Sequence, residues 1–100
     1  MAIFIMLSTL GPDGMATLHQ RPERLLEVNE EVANMGAKVL HQWVVLGSND
    51  FCTVLEAPDM QTVVKIGVAL GARGTLKTQT LPAMPVEELI AFLKSPQQDS

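Results

Sequence analysis

Residues 2–9, AIFIMLST, carry apolar side chains at both odd and even positions. Ile3, Ile5 and Leu7 fall on one face of an extended chain, and Phe4 and Met6 on the other. A run this short and rich in β-favouring residues predicts a strand that needs cover on both sides. Gly11-Pro12-Asp13-Gly14 then interrupts the chain, and Asp13 is placed to cap a short helix over 14–20. Leu25, Val28, Val32 and Met35 recur at helical spacing and predict a helix over 23–35. Its start suits Pro22, and Gly36 supplies the stop. The stretch 37–46, AKVLHQWVVL, is rich in β-branched and aromatic residues and reads as a long strand.

Gly47-Ser48-Asn49-Asp50 is a turn signal, and FCTVLEA, 51–57, is the next strand. A tight turn around Ser48-Asn49 sets Leu46 opposite Phe51, Val44 opposite Thr53, Trp43 opposite Val54, and His41 opposite Glu56. On this register His41, Trp43, Val45, Cys52, Val54 and Glu56 share one face. Leu40, Gln42, Val44, Leu46, Phe51, Thr53, Leu55 and Ala57 share the more aliphatic face, expected under the helices. Asp59 caps a helix over 60–71, with Met60, Val63, Gly67 and Leu70 on its inner face and Val64 and Ile66 at its flanks. TLKTQTL, 75–81, alternates as a fourth strand. Pro82 and Pro85 break it, and a short helix runs from Pro85 or Val86 to about Leu93. The order β-α-β-β-α-β plus a terminal helix is the α+β, ferredoxin-like pattern, with both main helices on one face of an antiparallel sheet. A single domain over 1–94 and a flexible tail over 95–100 follow.

Composition adds a second expectation. Hydrophobic residues make up 47% of a chain of 100 residues, and charged residues only 18%. A small domain buries a limited share of its surface, so the excess predicts a homodimer or higher homo-oligomer that covers the second sheet face. The net charge of −4 and the scattered basic residues argue against nucleic acid as a partner. The apolar start lacks a basic leader region and the length of a membrane span, so no membrane role and a cytoplasmic location are expected. One cysteine allows no intrachain disulfide. His19 and His41 are the only histidines, no metal-ligand spacing occurs, and no metal or cofactor is expected.

At residues 38–59, KVLHQWVVLGSNDFCTVLEAPD, the chain resembles the GYD domain family. Leu46, Gly47 and Asp50 match its Leu-Gly-x-Tyr-Asp motif, and Glu56, Ala57, Pro58 and Asp59 match Glu-Ala-Pro-Asp. The opening strand ending LST, the Arg21-Pro22 to Arg24 stretch and ALGARGTLKTQTL at 69–81 extend the likeness. Asn49 stands where the motif has tyrosine, and the chain contains no tyrosine at all. The resemblance implies a ferredoxin-like subunit of the dimeric α/β barrel type and implies no particular reaction.

Several residues qualify for chemistry. A histidine held by a carboxylate can act as a general base, which makes His41 and Glu56 the candidate catalytic pair. Trp43 and Val54 offer an apolar wall on the same face, and Asn49 and Asp50 lie at the mouth of a cavity there. The leading expectation is a homo-oligomer of unassigned activity that binds a small, largely apolar molecule in a sheet-face cavity. The alternatives are a cofactor-independent monooxygenase or isomerase with His41 as base, and a purely structural oligomer. Each residue also has a plainer role: His41 and Glu56 as a satisfied cross-strand pair, Asp50 and Asn49 as turn formers, Cys52 as a small buried hydrophobe, and Arg73 as a solvated loop arginine.

Overall fold

A computed structural model describes residues 1–74 and 76–96. The elements are β1 (Ala2–Leu10), α1 (Pro12–Gln20), α2 (Arg24–Asn34), β2 (Lys38–Val44), β3 (Phe51–Ala57), α3 (Met60–Ala72), β4 (Leu76–Ala83) and α4 (Val86–Leu93). The four strands form one sheet in the order β2-β3-β1-β4, with each adjacent pair antiparallel. The α+β class and the antiparallel sheet agree with the sequence pattern. The barrel does not: the sheet is open, with β2 and β4 as its two free edges. About eight strands are needed before a sheet closes around an interior filled by side chains. Four strands with their end members at opposite edges lack that span.

Alternation along β1 and β3 decides the layering. Phe4, Met6 and Ser8 are buried beside Phe51, Thr53, Leu55 and Ala57, while their neighbours in sequence are only half-buried. The buried parity meets Val32 of α2 and Val63, Ile66 and Leu70 of α3, giving one contiguous core. Ile66, at 0% exposure, is its centre on α3, whereas Met60 is exposed. The inner face of α3 is therefore rotated from the one expected. Gly67 lets α3 approach β4, since a Cβ there would meet Thr78 Oγ1 at 3.3 Å.

Local rules explain most boundaries. Asp59 accepts hydrogen bonds from Thr62 N at 2.8 Å and Thr62 Oγ1 at 2.7 Å, as an N-cap should. Those donors hold its carboxyl below the usual aspartate range. α1 starts earlier than expected: Gly11 is its N-cap, Pro12 occupies the first turn, and Asp13 lies inside the helix rather than capping it. Pro82 continues β4 instead of ending it, opposite Phe4. An edge strand tolerates proline because one side of its backbone pairs with nothing. Thr75, expected in this strand, and residues 97–100 of the expected tail lie outside the described residues.

Candidate functional site

The β2–β3 hairpin carries most of the residues singled out for chemistry, and its register differs from the expected one. Val44 lies opposite Phe51, Trp43 opposite Cys52, Gln42 opposite Thr53, and His41 opposite Val54. The strands thus slide by two positions, which preserves the faces but changes every partner. A β-bulge between Val39 and His41 then leaves Leu40 as the extra residue and sets Lys38 opposite Glu56. His41 and Glu56 are therefore not cross-strand neighbours.

The cause is the loop. The chain does not turn tightly at Ser48-Asn49, because Val45 N donates to Asp50 O at 2.9 Å and closes a wider connection. Gly47 sits within it at φ +120°. The loop is latched to the end of β1. Asp50 N donates to Ser8 O at 2.8 Å, and Leu10 N donates to Asp50 Oδ2 at 2.8 Å. Thr9 Oγ1 donates to Ser48 O at 3.3 Å and to Asn49 Oδ1 at 3.4 Å. Asp50 and Asn49 thus anchor the hairpin on its neighbouring strand.

On the open face His41 stacks on Trp43, with ring centroids 5.4 Å apart and planes 10° from parallel. Both side chains are exposed, as are Val44 and Leu46 farther along. The sequence pattern places Val44 and Leu46 under the helices, but the helical layer does not reach the hairpin end, and Leu46 is 98% exposed. Cys52, Val54 and Glu56 are half-buried on the same face as His41.

A cavity of about 300 Å³ lies on the opposite side of the sheet, beneath α1 and the first half of α2. None of His41, Trp43, Val54, Asn49, Asp50 and Glu56 lines it. Its walls are apolar, with Leu10, Leu18, Leu25, Val28 and Val39 around Phe51 and Leu55. Phe51 is buried, stands outside the contiguous core and lines the cavity. Polar groups enter at defined points. Ser8 and Thr53, each 5% exposed, reach it from adjacent strands. Asn29 and Gln42 form a reciprocal amide pair at 2.8 and 3.2 Å, and Gln42 Nε2 also donates to Thr53 Oγ1 at 3.4 Å. Arg24 and Arg73 line the rim. Arg73 pairs with Glu31, and Arg24 lies 3.4 Å from Glu31 and 3.5 Å from Glu27. The Arg73 bond holds the Glu31 carboxyl below its usual range and raises the Arg73 guanidinium. Sequence reasoning passed over this cavity. Its signal was polar residues at core parity: Ser8 and Thr53 in apolar strands, and Arg24 beside the Leu25–Val28 stripe.

Among the described residues, no group of three or more His, Cys, Asp and Glu side chains is placed to hold a metal ion, and no helix is long and apolar enough to cross a membrane.

Comparison with known proteins follows the fold. A solved chain described as FFRP-DM1 superposes with a TM-score of 0.52 at 18% identity, covering 84% of this chain and 100% of that one, a likeness of fold alone. A protein of Thermus thermophilus, described as a glutamine synthetase and cystathionine beta-lyase binding protein, is 50% identical over 95 residues, covering 94% of this chain and 100% of its own length. The family model of the GYD domain matches residues 4–93, nearly the whole of the sheet and its helices, and the chain belongs to the GYD domain family.

Proposed function

We propose that this chain is a small homo-oligomeric binding protein that docks on enzymes, with glutamine synthetase and cystathionine β-lyase as its first candidate partners. The observation that carries this reading is the 50% identity across the full length of a relative described as binding those enzymes. The geometry supports a binding surface. Trp43, Val44 and Leu46 project from the hairpin end at 52%, 73% and 98% exposure. Exposed large apolar side chains at one end of a sheet offer surface that a partner can cover. The latch between Asp50 and β1 holds that end of the sheet in one shape before any partner arrives, which lowers the ordering cost of association.

Homo-oligomerisation rests on α4. None of its residues is buried, although Val86, Leu89 and Ile90 lie on one face. The Cα radius of gyration is 15.8 Å, against about 13 Å for a compact chain of 100 residues. A second copy of the chain supplies the cover that this extended helix lacks.

The test is direct. The purified protein is mixed with glutamine synthetase and, separately, cystathionine β-lyase from the same organism, and association is followed by sedimentation velocity and titration calorimetry. Saturable binding to at least one enzyme at micromolar concentration, weakened by Leu46→Asp, is expected. Failure to bind either enzyme sinks the reading. A second reading keeps a planar apolar molecule on the open face, favoured by the His41–Trp43 stack. Under it, His41 and Trp43 contact the ligand, and His41→Ala lowers affinity; the cofactor-independent enzyme with His41 as base is its catalytic form. A ligand whose affinity is unchanged in His41→Ala and Trp43→Ala rules it out.

A further inference from the structure

We propose that the cavity between the α1–α2 layer and the sheet binds a small monocarboxylate with an apolar tail. The site is separate from the docking surface, because none of Trp43, Val44 and Leu46 lines it. Size sets the ligand. A space of about 300 Å³ lies at the small end of ligand pockets, roughly 300–1,000 Å³, and suits a compact molecule such as a C8 acid. Its walls are apolar with a few convergent polar groups, the make-up of a small-molecule pocket.

Charge sets the headgroup. The two lining arginines, Arg24 and Arg73, are paired at the rim with Glu27 and Glu31. A guanidinium offers five N–H donors. The ion pairs of the two lining arginines engage Nη1 of Arg24 and Nη2 of Arg73, so each retains donors for a second carboxylate. The floor supplies a further polar point. Ser8 is 5% exposed and lines the cavity, and its hydroxyl has no side-chain partner among the described residues. No side-chain oxygen or nitrogen there is both fully buried and unbonded, which leaves the Ser8 hydroxyl open to the cavity space. An anion at the arginine rim with a chain laid along Leu25, Val28, Phe51 and Leu55 satisfies both parts of the site.

The probes are octanoate, 3-phenylpropanoate, octan-1-ol and octylamine, each titrated into the full-length protein. Calorimetry reads affinity, and methyl and amide NMR reads location. Octanoate or 3-phenylpropanoate is expected to bind at least tenfold more tightly than octylamine, with shifts centred on Val28, Val32, Val39 and Leu55. The acid that binds better tells an alkyl from an aryl tail. Arg73→Gln, at a partly exposed position, is expected to weaken the acid about tenfold and leave octan-1-ol unchanged. The proposal is overturned if neither acid binds at millimolar concentration, if octylamine binds as tightly, if the shifts centre on Trp43 and Val54, or if Arg73→Gln leaves acid affinity unaltered. The octylamine comparison needs no variant, so a misfolded mutant does not rescue the idea.

Discussion

Replacing Asp50 by alanine tests how the hairpin is held. The carboxylate accepts from Leu10 N at 2.8 Å, at a half-buried point where the hairpin loop meets the end of β1. Alanine keeps the backbone bonds from Val45 N to Asp50 O and from Asp50 N to Ser8 O, but leaves the Leu10 amide without its acceptor. Hydrogen bonds to charged groups contribute about 1.5–3 kcal/mol, so Asp50→Ala is expected to cost about 2 kcal/mol. For a domain of this size each kcal/mol moves the melting temperature by about 4–8 °C, which predicts a fall of about 8–16 °C. Asp50→Asn retains an oxygen of similar reach without the charge and is expected to lose about half as much. Trp43 is the only tryptophan and lies near the same loop, so its fluorescence follows urea unfolding there, with circular dichroism for the global transition. Both variants are compared at one protein concentration, because association shifts apparent stability by mass action. The latch is refuted if Asp50→Ala stays within about 0.5 kcal/mol of the parent, the range of an unremarkable surface substitution. It is also refuted if Asp50→Asn falls as far as Asp50→Ala.

Glu31→Gln should cost about 0.2–1 kcal/mol at neutral pH, the scale of partly exposed ion pairs. Arg73 depresses the folded-state pKa of Glu31 below the ordinary 4.5, so the stabilisation is full above that value and is lost as pH falls through the lower folded one. Urea midpoints of parent and variant should therefore converge as the pH is lowered, and a gap that does not narrow in acid counts against the ion pair. Leu89→Asp and Ile90→Asp on α4 should lower the assembly mass read by light scattering while far-UV circular dichroism stays unchanged. A parent that is already monomeric at micromolar concentration, or a variant of unchanged mass, removes α4 from the interface.

Much of the fold was legible because it depends on local, periodic information. The 3.6-residue spacing of Leu25, Val28 and Val32 marks α2. Alternation in FCTVLEA identifies both β3 and its buried parity, since Phe51, Thr53, Leu55 and Ala57 are the buried set. Asp59 caps its helix through a bond made three residues away. The motif residues at 46–59 pointed to the GYD family for the same reason: they are contiguous.

What only the tertiary structure decided involves contacts between segments far apart in sequence. The hairpin register depends on Thr9 and Leu10 gripping Asn49 and Asp50 across 40 positions, and no turn propensity encodes that grip. Its effect is a slide of the strands that separates His41 from Glu56. Closure of the sheet is likewise global, since it depends on strand number and curvature rather than on any one segment. The cavity is the clearest case. A void is defined by where side chains from α1, α2 and three or more strands fail to meet, and a one-dimensional pattern records which residues are apolar but not how completely their volumes fill the space between layers.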